Sequence, residues 1–162
     1  MNVLDSQIYY PLFAFFLFFL VLAFVPRAEI KKLFWFSLLW GSTVDSIIIF
    51  LMRRLNLFHY IKLEPFNLFG VPLWIPLAWS QAIILFIYFY PNRKEWYYNL
   101  FYIAFFAGAG VGIGFFFSLA GLIVNVRWNE LFRFPIQFLW FYGALKHYQY
   151  LEGSAAQENP AS

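Results

Sequence analysis

Five long apolar runs, separated by short basic clusters, limit what this chain can fold into. The first, Ile8 to Val25, carries no charged residue and is closed by Pro26. A helix of about 20 apolar residues crosses the roughly 30 Å hydrocarbon layer of a bilayer. Leu33 to Met52 follows between Lys31–Lys32 and Arg53–Arg54, then Leu68 to Tyr90, Tyr97 to Val124, and the more polar Leu131 to Tyr150. Composition removes the alternatives. The 162 residues are 63% hydrophobic, 26% aromatic and 12% charged, against about a quarter charged in soluble domains. A water-soluble fold of this size would leave too much of that apolar surface exposed. A disordered chain needs the opposite composition.

The expected fold class is therefore an all-α, polytopic transmembrane helix bundle. Five spanning helices are expected at about 8–25, 33–52, 68–90, 97–124 and 131–150, in one domain covering 1–151, with a polar C-terminal tail at 152–162. The first run reads as a retained helix rather than a signal peptide, since no Lys or Arg precedes it and Val25-Pro26-Arg27 is a poor cleavage site. Leu55 to Phe69 mixes His59, Lys62, Glu64 and Pro65 with Leu, Phe and Tyr, a pattern expected of an interfacial segment at headgroup depth.

The net charge of +3 forms no patch that could bind nucleic acid; it is divided among Arg27, Lys31 and Lys32, Arg53 and Arg54, and Arg93 and Lys94. Such clusters beside apolar runs act as topology signals. The first cluster follows a helix with no Lys or Arg before it, so the N-terminus is expected outside and the C-terminus in the cytoplasm. Tyr9, Tyr10, Trp35, Tyr88, Tyr90, Trp96 and Trp128 stand at the ends of the runs, where headgroup depth suits their polar tips. Cysteine is absent, which excludes disulfides and thiolate chemistry.

Asp45 is the residue with the most chemical promise. A carboxylate in a spanning helix costs a few kcal/mol on insertion scales, so it must face protein or water. Helical spacing places Gly41, Ser42 and Ile49 on its side. Alternating helices bring Arg133 to the same end, within reach of Asp45, although an arginine there also snorkels to the interface. Gln81 and Gln137 are the other deep polar groups. Asp45, Gln81, Arg133 and Gln137 thus form the candidate buried polar site, with Pro72 and Pro76 as a candidate helix kink.

The fourth run carries Gly108, Gly110, Gly112, Gly114 and Gly121. Gly108/Gly112 and Gly110/Gly114 make two neighbouring small faces, the pattern by which helices pack closely in lipid. His59 and His147 stand far apart with no acidic cluster, so no metal, cofactor or catalytic residue is assigned. The leading expectation is a non-enzymatic small membrane subunit or scaffold that associates with a membrane-protein partner or with its own copies. The alternative is a small transport or ligand-binding membrane protein with a mid-membrane site around Asp45. A membrane enzyme acting on a lipid-like substrate comes third.

The Pro65-Phe66 pair, the Trp74/Pro76/Trp79 segment and the aromatic-basic turn from Pro91 to Tyr98 carry a resemblance over about Pro65 to Tyr150. That stretch resembles small Phe- and Trp-rich polytopic membrane proteins of spore-forming, Gram-positive bacteria, an uncharacterised group. The resemblance implies a bacterial inner membrane and transfers no activity. The Pro/Trp segment is also similar to that of carotenoid hydratase-like membrane enzymes, but no catalytic acidic cluster can be matched here.

Overall fold

A computed structural model describes residues 5–158 except 65, 69 and 92–94. Pro65, Arg93, Lys94 and the end of the polar tail lie outside the described residues. The chain is all-α in class, with five helices: α1 (Tyr9–Phe24), α2 (Arg27–Arg54), α3 (Trp74–Tyr88), α4 (Trp96–Leu119) and α5 (Glu130–Glu158). Ser6–Phe24, Arg27–Arg54 and Trp96–Leu119 are long and apolar enough to cross a membrane. Four short strands, β1 (Phe58–Tyr60), β2 (Asn67–Leu68), β3 (Val71–Pro72) and β4 (Ile123–Asn125), form two antiparallel pairs, β1 with β4 and β2 with β3.

Each helix buries the face its sequence dictates. In α1 the inward residues are Tyr10, Ala14, Leu17 and Val21, a three-to-four residue repeat. Phe15, Phe16, Phe18, Phe19 and Leu22 point outward, an arrangement suited to lipid. The central helix is α3: Ile75, Pro76, Ala78, Trp79, Ser80 and Ala82 to Ile87 are buried, leaving only the stripe of Trp74, Leu77, Gln81 and Tyr88 partly exposed. A helix apolar all round belongs in the middle of its neighbours.

Part of the segment expected at headgroup depth is paired into the fold as β1. Phe58 opposes Asn125, His59 opposes Val124, and Tyr60 opposes Ile123. Backbone bonds from Ile61 to Leu122 and from Val126 to Leu57 extend the tie. The fourth helix accordingly stops at Leu119 rather than Val124. Gly121 adopts a positive φ of 66°, while its N–H bonds Ser118 and that of Leu122 bonds Phe117, the hydrogen-bond pattern of a left-handed helix stop. Gly121 is thus a terminator, not a packing glycine. Asn56 ends α2 in the same way, with φ 54° and matching bonds to Arg53 and Met52.

The strand pairing gathers the start of α1, the end of α2 and the end of α4 at one end of the molecule. The Tyr10 hydroxyl fixes that junction, donating toward the carbonyls of Ile61 at 2.9 Å and Leu122 at 2.8 Å. At the other end Lys32 pairs with Glu152 at 2.7 Å, and Tyr90 donates to Asn99. Tyr10→Phe leaves the Ile61 carbonyl without this donor, while the Leu122 carbonyl keeps the Ile61 N–H, so stability should fall by about 1–3 kcal/mol. Thermal unfolding of the purified chain in detergent measures this, and an unchanged midpoint would mean the junction is held by packing alone.

Candidate functional site

A cavity of about 70 Å³ lies between α2, α3, α4, α5 and the β1 strand. One face of α2 supplies Asp45, Ile48, Ile49 and Met52, spaced as one helical stripe. The register of that stripe is set by a π-helical segment, Leu38–Val44, immediately before Asp45. Such segments insert an extra residue in a helical turn and re-aim the side chains of the next turn. Gly41 and Ser42, expected beside Asp45, close against α3 instead. Ser42 donates to the Pro76 carbonyl at 3.1 Å and lies 2.7 Å from the Ser80 hydroxyl.

From α5 come Arg133, Ile136, Gln137 and Trp140. Asn129 caps this helix, its side chain accepting from the Phe132 N–H at 3.1 Å, which fixes where the first turns point. Opposite them, α4 presents Gly110 and Gly114. A Cβ on Gly110 would strike the Gln137 amide, and one on Gly114 would strike the Arg133 guanidinium. Two glycines four residues apart therefore make slots for two polar side chains four residues apart. Gly108 and Gly112 face open space, with nothing within 4 Å of an added Cβ.

Three of the four residues expected to form the buried polar site, Asp45, Arg133 and Gln137, share this cavity. Gln81 does not; it faces a separate crevice with Ala14, Phe15 and Phe18 of α1. Nor is there a helix kink at the prolines. Pro72 belongs to β3, and Pro76 falls in the first turn of α3, where its missing N–H would have had no intrahelical partner.

Arg133 is 7% exposed. It donates toward Asn125 at 3.4 Å and lies over the Phe58 ring at 5.4 Å, a position in which the ring face offsets part of its charge. Asp45 forms no salt bridge with it; the ion pair found among the described residues is Lys32–Glu152. The Tyr60 phenol, on β1, feels both groups. Burial holds its pKa above the ordinary value, an Asp45 carboxylate adds to that rise, and Arg133 opposes it.

Asp45 Oδ2, Gln137 Oε1, Trp128 Nε1 and Trp140 Nε1 are enclosed atoms with no hydrogen-bond partner, and all four residues line the cavity. An unsatisfied buried polar group costs about 1–3 kcal/mol, and such groups in folded proteins find a partner in protein, water or ligand. Sequence reasoning missed Tyr60, Trp128 and Trp140. Trp128 reads as an interfacial anchor, and only the β1–β4 pairing, invisible in helical periodicity, carries Tyr60 and the end of α4 to Asp45. No protein-family model, curated protein or solved structure matches this chain.

Proposed function

We propose that this chain is a multi-pass membrane protein that binds a small amphipathic ligand in the cavity beside Asp45. The observation that supports this reading is the set of four unsatisfied buried polar atoms around a space whose remaining wall is mostly Ile, Met, Phe and Trp, with Tyr60 and Arg133 among them. Apolar walls hold water poorly and a few convergent polar groups orient a ligand. Two of the four atoms accept hydrogen bonds and two indole N–H groups donate them. A neutral group that both donates and accepts, a hydroxyl or an amide, satisfies both kinds. The five helices all cross the bilayer in this reading, with the N-terminus outside and the C-terminus in the cytoplasm of a bacterial cell.

The test uses the purified chain in lipid nanodiscs with 3-bromo-1-propanol, whose bromine quenches the cavity tryptophans Trp79, Trp128 and Trp140. Saturable quenching is expected. Asp45→Leu should bind the alcohol about tenfold more weakly, the loss of one hydrogen bond at a buried acceptor. Its thermal midpoint should hold or rise, because an unsatisfied buried polar group is removed. Equal affinity in the variant would sink the assignment of Asp45.

A second reading, association of helices with a partner or another copy, is favoured by Gly108, which faces open space on α4. The mass of the intact particle after gentle extraction distinguishes a complex from a lone chain. Gly108→Leu should then reduce that mass if this face carries the contact.

A further inference from the structure

Resting on the ligand-binding reading above, we propose that the ligand enters sideways from the bilayer, through a groove between α1 and α4 that holds its alkyl tail while its polar end reaches Asp45. The groove, about 590 Å³, opens on the outer surface beside Phe16, Ala109 and Gly112. Its inner wall is the outer wall of the cavity: Ile113 and Phe117, one turn apart on α4, line both.

Three observations make this seam the place of entry. First, α1 packs mainly on α3, and α4 mainly on α5, so side chains rather than tightly packed backbones close the α1–α4 seam. Second, the closing groups are rings and an isoleucine. Phe117 meets Tyr10 and Phe13 edge-on at 5.5 and 5.7 Å, and side chains change rotamer far faster than helices move. Third, apart from Tyr9 at its rim, the groove is lined by apolar residues. An ion or a water-borne solute gains nothing there, whereas an alkyl chain already in the membrane passes without leaving an apolar surrounding. The absence of a Cβ at Gly112 and the small Ala109 leave the groove its depth.

The experiment blocks the groove and spares the cavity. A short alcohol, 3-bromo-1-propanol, reports on the cavity by tryptophan quenching, and 1-dodecanol competes with it as the tailed ligand. Gly112→Phe adds a ring where nothing lies within 4 Å of a Cβ, and Ala109→Phe is the second variant should the first fail to fold. In both, the short alcohol should quench within about twofold of the unsubstituted chain, while 1-dodecanol should compete at least about tenfold less well. Undiminished competition by 1-dodecanol overturns the lateral route and leaves the cavity reading standing. If 3-bromo-1-propanol fails to quench the unsubstituted chain saturably, the cavity reading and the route fall together. If Gly112→Phe instead lowers the particle mass and leaves competition unchanged, the groove seats another copy of the chain, and the route is overturned.

Discussion

Gly41→Ala should remove at least about 3 kcal/mol of stability, and Gly41→Leu should yield no folded chain. Overpacking of a core costs about 1–3 kcal/mol when side chains can give way. Here they cannot: a Cβ at position 41 would collide with the Ser80 Cα and N and come within 2.6 Å of the Trp79 carbonyl carbon. These are backbone atoms of α3, held in turn by the hydroxyls of Ser42 and Ser80. Relief requires α2 and α3 to separate, which would break the Ser42 bond to Pro76 and loosen the α2 and α3 sides of the cavity. Denaturant titration of the purified chain provides the measurement. Gly153→Ala, at a position with nothing within 4 Å of its Cβ, serves as the control. An alanine at 41 with an unchanged midpoint would show that the close approach of α2 to α3 is not fixed by this glycine.

The same substitution on neighbouring glycines of α4 should give opposite results. Gly114→Leu should cost about 3 kcal/mol or more and close the cavity, since its side chain needs the space in which the Arg133 guanidinium lies. Displacing a buried charge from its surroundings is among the costliest changes a core can suffer. Gly108→Leu should change the stability of the isolated chain by no more than about 0.5 kcal/mol, because nothing lies within 4 Å of its Cβ. Paired unfolding curves, together with 3-bromo-1-propanol quenching, separate the two. Equal losses would mean the two faces of α4 do not differ as the structure indicates.

Apolar length alone was enough to place five helices, since each long run must hide its backbone polar groups within a helix if it enters a bilayer. Where the elements end was harder to read. Gly70 to Leu73 precedes α3 within the same apolar run, yet Gly70, with φ 90°, and the pairing of Val71 and Pro72 with Leu68 and Asn67 keep it out of the helix. Leu122 to Val124 likewise continues α4 in hydropathy but leaves it at Gly121. The N-terminal part of α2 was missed for the opposite reason. Arg27 to Lys32 is too polar to count as an apolar run, yet it continues the helix, with Lys32 paired to Glu152.

For the site, the cost of burying polar groups singled out Asp45, Arg133 and Gln137, and that argument needs no fold. Gln81 satisfied the same criterion but sits on the face of α3 toward α1, because depth along a helix does not say which side a residue takes. The two small faces of α4 were legible as spacing. What lay opposite them was not: Gly110 and Gly114 receive side chains of the same chain, while Gly108 and Gly112 look outward.

The encirclement of α3 bears on how the protein meets bilayers of different thickness. Its 15 residues make a rod of about 22 Å, well under the roughly 30 Å hydrocarbon layer. A lone helix this short would have to thin the lipid around it. Buried over most of its circumference, α3 would have little lipid to deform. In the multi-pass arrangement proposed above, hydrophobic mismatch would fall on α1, α2 and α4, the helices long and apolar enough to cross a membrane, while Ile75 and Trp79 stay anchored in the shielded rod. Lengthening the acyl chains of the host membrane should therefore alter the inclination of the outer helices well before it reshapes the chamber at Asp45.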